Sequence, residues 1–230
     1  MNGLSAHVRP EQPVIISFTA FLHCRLQGVV KKAVPNREGN AKTLFRVRDK
    51  VKTQAMFRAQ WCSFFQELER INPRDCLIAK ILLQGGKRVQ EALELKRHQI
   101  DWERSEITFL QSKAKGTLKE TVITYSEKIM KHLQVYVGDR KGLVFVTKKG
   151  KPIRRLQVAA TYAKAGMVAG IPFKVTPHTL RASAVTYFKQ QGFPDSDIMR
   201  VTGHASSNMI YAYDKSSLAD NASKKVTLIS

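Results

Sequence analysis

The chain is 230 residues long, 43% hydrophobic and 25% charged, an ordinary globular composition with enough apolar material for a full core and no sign of low-complexity disorder. Its charge is unusual: 39 Lys and Arg against 18 Asp and Glu give a formal net charge of +21. Such an excess repels itself in the compact state and attracts polyanions, nucleic acid first among them because neutralised phosphates release counterions; a membrane surface or a ribosome would also suit it, and charge alone names no reaction.

In chain order, Val14, Ile15, Phe18, Phe21 and Leu22 form an apolar stripe with helical spacing. Pro13 suits the first turn of that helix and Gly28 its stop, so a helix is expected over about 13–27. The run VIISFTAFL has the length of a signal-peptide core, but Arg9 beside Glu11 and the absence of a small-x-small cleavage pattern argue against one. No stretch approaches the roughly 18 apolar residues of a membrane span, and the chain is read as cytoplasmic. From Lys31 to Lys52 the composition turns to Lys, Arg, Pro, Asn and Gly, the mark of an exposed basic linker. A helix capped by Thr53 is expected to run to about Arg70, with Phe57, Trp61, Phe64, Phe65 and Leu68 inward. Asn72-Pro73 ends it. A second apolar helix covers about Arg74 to Leu83, Gly85-Gly86 breaks it, and a third short helix follows from about Val89 to Lys96. Ile107–Leu110 and Thr121–Tyr125 read as strands joined by a polar turn, with Leu143–Val146 as a possible third. The rest reads as helices over 126–137, 154–169, 178–191, 195–201 and 206–213. The expected class is α+β, mainly helical with a small antiparallel sheet. Cys24, Cys62 and Cys76 show no metal-ligand spacing and read as reduced, mostly buried thiols.

Four scattered features carry chemistry: Gly86-Lys87-Arg88-Val89-Gln90-Glu91 at a helix start, Ser112-Lys113 at the strand turn, His178-Thr179-Leu180-Arg181 after Thr176-Pro177, and Gly203-His204 followed nine residues later by Tyr213. The H-x-x-R spacing puts His178 and Arg181 on one helical face. Two Arg, two His, a Lys and a Tyr are what phosphoryl transfer from DNA without a metal requires. Arg forks match the non-bridging oxygens of a charged transition state. A lysine can protonate the leaving 5′ oxygen, and a tyrosine hydroxyl, with its ordinary pKa of about 10, needs a base such as histidine to attack.

These segments resemble the boxes of the tyrosine recombinase, or phage integrase, family. GGKRVQEALELKRHQID is similar to the first Arg box, QSKAKG to the strand-turn Lys, TPHTLRASAVTYF to the His-x-x-Arg box and VTGHASSNMIYAYD to the Gly-His box with its nucleophile. Order and spacing agree from about residue 50 to 216, and within the family the likeness is to the plasmid-borne integrases. The resemblance implies a recombinase catalytic domain over 51–230, preceded over 1–50 by a shortened remnant of an arm domain and its linker. It implies that Arg88 and Arg181 clamp the scissile phosphate, Lys113 is the general acid, His178 moves a proton, His204 hydrogen-bonds the phosphate and Tyr213 attacks to form a 3′-phosphotyrosyl bond. Glu91 would orient the site. Because the covalent link stores the bond energy, no cofactor, metal or ATP is implied; the partners implied are double-stranded DNA and further protomers on it, with no membrane.

Departures from the family pattern are Gly85 and Lys87, where a Thr and an apolar residue are usual, and Thr202, where Leu usually precedes Gly-His. Lys87 is expected to add charge beside Arg88. Lys115 is the alternative to Lys113. Tyr211 competes with Tyr213, the nine-residue offset favouring Tyr213 and leaving Tyr211 to packing. The rival function is a catalytically idle DNA-binding regulator that keeps the fold. A basic RNA- or ribosome-associated module explains the charge but not the ordered constellation.

Overall fold

A computed structural model of the chain describes residues 53–112 and 118–217. The expected helix 13–27, the basic linker, Cys24, Lys113 and Lys115 lie outside the described residues.

The described chain folds as eight α-helices and one three-stranded antiparallel sheet, in the order α1 (Arg58–Ile71), α2 (Pro73–Gly85), α3 (Val89–Leu93), β1 (Ile100–Asp101), β2 (Glu106–Ser112), β3 (Leu118–Thr124), α4 (Glu127–Val137), α5 (Arg155–Val168), α6 (Pro177–Gln190), α7 (Asp195–Thr202) and α8 (Ser207–Tyr213). The expected class, mainly helical with a small antiparallel sheet, is the one observed. Helix α2 is apolar nearly all round, with Cys76, Leu77, Ile78, Ala79, Ile81 and Leu82 buried, and such a helix must lie inside. It packs on α1, α4 and α6. Its start is written locally: the Asn72 side chain accepts from the Asp75 N–H at 3.2 Å, with Pro73 in the first turn. Phe64 of α1 meets Tyr162 of α5 edge-on at 5.9 Å.

Strands β2 and β3 pair in the register Ile107↔Ile123, Phe109↔Thr121 and Gln111↔Lys119. Ile107, Phe109 and Gln111 turn inward with Thr121 and Ile123, while Leu110 and Val122 are exposed, the period of two that a half-buried sheet demands. Their buried side is met by α3 and α7, which adjoin the first Arg box and the Gly-His box.

Three expectations are corrected. The first described helix begins at Arg58, not after Thr53, because Met56 is buried and its N–H donates to Ser183 Oγ at 2.8 Å, tying the segment before the helix to α6. The third helix ends at Leu93 and Leu143–Val146 is no strand; these share one cause. The backbone after α3 pairs with the later loop, Val144 N–H to the Leu95 carbonyl at 2.8 Å and Arg97 N–H to the Gly142 carbonyl at 2.9 Å, while β1 at Ile100–Asp101 takes the third place in the sheet. Cys76 is buried, as expected, but Cys62 is exposed; both are free thiols.

Among the described residues no helix is long and apolar enough to cross a membrane.

Candidate active site

Two helix ends build the centre. Helix α2 closes on Gly86 at φ 53° and α7 on Gly203 at φ 73°, left-handed conformations that suit glycine. An ideal Cβ on Gly86 would stand 2.7 Å from Thr202 Cγ2, and one on Gly203 would stand 2.2 Å from Gln111 Nε2. The Gly86 turn thus lies against the Thr202 side chain and the Gly203 turn against the Gln111 amide. Helix α6 supplies the third wall: Thr176 caps it by accepting from Thr179 N–H at 3.3 Å, and Pro177 opens it.

Arg181, on the second turn of α6, is fully buried. Its Nη1 donates to the Gly86 carbonyl, and to the Thr202 carbonyl at 3.0 Å. Its Nη2 lies 2.7 Å from His204 Nε2. Its Nε has no protein partner. Burial and the neighbouring Arg88 lower the Arg181 pKa to about 10, against Glu91 and the Tyr213 side chain, which raise it; the guanidinium stays cationic at neutral pH. A buried guanidinium whose Nε is left over presents a donor that an anion would satisfy.

His204 is buried between Arg181 and Thr202, whose Oγ1 is 2.7 Å from Nδ1. Burial, then Arg181, Arg88, Lys119 and Lys87, push its pKa down to about 3, so it is neutral. The Tyr213 ring tilts over it, centroids 5.2 Å apart, and the Arg181 guanidinium carbon lies 5.6 Å from the Tyr213 ring centre. Tyr213 is held from behind by Thr186, whose Oγ1 donates to its carbonyl at 3.4 Å, and packs with a small cluster of Val185, Ile198 and Ile210. Tyr211 is 57% exposed and lies beneath Lys189, whose Nζ is 5.4 Å from its ring centre. It points away from the core, so its expected packing role is not what is seen, and the two tyrosines are separated.

Arg88 is half-buried at the start of α3, and its Nη1 donates to Glu91 Oε1 at 3.1 Å. Glu91 also accepts from Gln111 Nε2 at 3.0 Å, and Gln111 reaches on to the Thr202 carbonyl at 3.4 Å. This chain ties the Arg box, the strand and the Gly-His box together. His178 is solvent-accessible on the first turn of α6; loss of solvent around it, with Arg181, Arg88 and Arg155, holds its imidazole below the ordinary value and therefore neutral at pH 7. An open groove of about 680 Å³ runs between Arg88, Glu91, Gln111, Lys119, Gly203 and His204.

Arg181, His204 and Tyr213 are thus in direct contact, Arg88 joins them through Glu91 and Gln111, and His178 lies within their field. Lys113 lies outside the described residues. Sequence reasoning missed Gln111, although the inward parity of Ile107 and Phe109 on β2 points to it. Nor does the sequence show that Lys87 is buried; it donates from Nζ to Thr121 Oγ1 and lies 5.2 Å from the Phe109 ring centre. Among the described residues no group of three or more His, Cys, Asp or Glu side chains could hold a metal ion.

The fold and this cluster define a class, and comparison agrees: the phage integrase family model matches residues 56–219. The chain belongs to that family, the tyrosine recombinases. It is 52% identical over 214 residues to the virulence plasmid integrase pGP8-D of Chlamydia muridarum, covering 93% of this chain and 65% of the relative's length. The crystal structure of XerA recombinase superposes with a TM-score of 0.63 at 23% identity, covering 72% of this chain and 61% of that one. The XerH site-specific recombinase bound to a palindromic difH substrate, in a post-cleavage complex, gives 0.59 at 20% identity, covering 70% and 49%. At these identities the structural likenesses speak for the fold.

Proposed function

We propose that the chain is a site-specific DNA recombinase of the integrase type, which cuts and rejoins duplex DNA through a 3′-phosphotyrosyl intermediate, acting in the cytoplasm with further protomers of its kind on the DNA. The observation that carries this is the contact of the buried Arg181 and His204 with Tyr213. An anion-seeking guanidinium lies against a potential nucleophile. The Tyr213 oxygen attacks phosphorus, giving its proton to a neutral histidine, for which His178 is suited. The bond to the 5′ oxygen breaks, and that oxygen takes a proton from Lys113. Arg88 and Arg181 meet the charge that gathers on the non-bridging oxygens. A 5′ hydroxyl then attacks the phosphotyrosine and restores both the phosphodiester and the tyrosine. The pGP8-D relative is named as an integrase and the XerH structure as a recombinase on its DNA substrate. Residues 51–230 would form the catalytic domain, with 1–50 as an appended helix and linker.

The test is a nicked duplex substrate, in which the fragment released by cleavage diffuses away and traps protein on DNA. A covalent adduct on a denaturing gel is the expected result. Binding without adduct, with a cognate site and added protomers, would make the chain an idle DNA-binding regulator.

A further inference from the structure

We propose that Thr202 is a positioning residue that accepts from His204 Nδ1–H and so holds the ring with Nε2 turned to the Arg181 guanidinium. The proposal rests on the recombinase reading for its consequence, but not for its geometry.

The argument is one of proton counting. The Thr202 hydroxyl has a single proton and two neighbours, the Ile198 carbonyl at 2.7 Å and His204 Nδ1 at 2.7 Å. A carbonyl can only accept, so the proton goes to Ile198, and Nδ1 must be the donor in the other contact. The far side of the ring gives the same answer independently. A guanidinium can only donate, so His204 Nε2, 2.7 Å from Arg181 Nη2, must present its lone pair. Both constraints select one neutral tautomer, and a second proton on the ring would set N–H against N–H.

Thr202 also acts through its other atoms. Its carbonyl accepts from Arg181 Nη1 at 3.0 Å and from Gln111 at 3.4 Å. Its methyl fills the space that a Cβ on Gly86 would take. The Arg181 fork is thereby held on Nη1 by two carbonyls and on Nη2 by one imidazole, which leaves Nε as the donor without a protein partner. A leucine at this position, usual in the family, has no hydroxyl to accept from Nδ1. In this arrangement His204 Nε2 is turned to Arg181.

The test compares the full chain with Thr202→Val and Thr202→Ser. Valine keeps the volume and removes the acceptor; serine keeps the acceptor and removes the methyl. Long-range nitrogen–proton spectra of His204 report the tautomer directly. The expected pattern is Nδ1–H in all three proteins, because Arg181 still requires the Nε2 lone pair, with the Nδ1 proton losing its hydrogen-bonded chemical shift in Thr202→Val alone. On the nicked substrate, Thr202→Val should form adduct roughly 10- to 100-fold more slowly, the loss typical of removing an outer partner of a functional histidine, with DNA binding within about twofold and Thr202→Ser within about threefold of the unsubstituted rate. Nε2–H in the unsubstituted protein, or a hydrogen-bonded Nδ1 proton retained in Thr202→Val, overturns the proposal, as does equal slowing by Ser and Val. If the unsubstituted chain forms no adduct, the recombinase reading fails, and the spectra alone still decide the role of Thr202. If Thr202→Val does not fold, the tautomer of the unsubstituted protein and the Ser variant decide it.

Discussion

Lys87 is fully buried without a carboxylate against its amine: its hydrogen-bond partner is the Thr121 hydroxyl and its other neighbour is the Phe109 ring. Burial, with Arg181, Lys119 and Arg88 adding to it against Glu91, brings its pKa down from 10.5 to about 7. Between those two values the unfolded chain holds a proton that the folded chain has released, so stability rises with pH across that window. Lys87→Met removes the linkage. The variant should be the more stable below neutral pH, by roughly 1–4 kcal/mol as for other buried charges replaced by apolar side chains, and the gap should close as pH approaches 10.5. Urea unfolding of both proteins at about pH 6 and about pH 9 measures it; a gap independent of pH would contradict the assignment. The sequence marks both Gly85 and Lys87 as departures from the family pattern but does not relate them. In space they meet, since a Cβ at Gly85 would fall 2.9 Å from Lys87 Cγ. An inward lysine is a product of tertiary packing, and the adjoining Arg88, Gln90 and Glu91 suggest solvent.

At the scale of elements, what was legible was what is encoded locally. Asn72-Pro73 and Thr176-Pro177 open helices α2 and α6 where the capping chemistry requires, and the alternation of β2 and β3 shows in the residues themselves. What was not legible depended on distant partners: the late start of α1, fixed by Ser183, and the early end of α3, fixed by the pairing of Leu95 and Arg97 with the 142–144 segment. The same holds for Gln111, whose role exists only because Gly203 leaves room for it. Gly203→Ala tests that junction. The substitution asks for a left-handed alanine at φ 73° and sets a methyl against the Gln111 amide. It should cost about 1–3 kcal/mol in urea unfolding, and it should weaken adduct formation further by releasing Glu91 and so Arg88. Unfolding at the unsubstituted midpoint would show that Gly203 and the Gln111 amide are not packed as described.

At the scale of the whole molecule, a chain of net charge +21 has its candidate site where several helix ends and one strand meet. The strongly basic composition points to a polyanion, and the ordered boxes point to the family; neither fixes which oxygen attacks. Two tyrosines two residues apart stand on α8, and the fold turns them differently, Tyr213 onto His204 and Arg181 and Tyr211 outward under Lys189. The chain spans 65% of the length of the curated relative pGP8-D, so the proposed reaction is best examined at its single covalent step. Tyr213→Phe removes the oxygen proposed to attack and keeps the ring against His204, whereas Tyr211→Phe removes the hydroxyl of an exposed residue. With both variants on the nicked duplex substrate, DNA binding should survive in each, adduct should vanish in Tyr213→Phe and persist in Tyr211→Phe; adduct from Tyr213→Phe with none from Tyr211→Phe would contradict the assignment of the nucleophile.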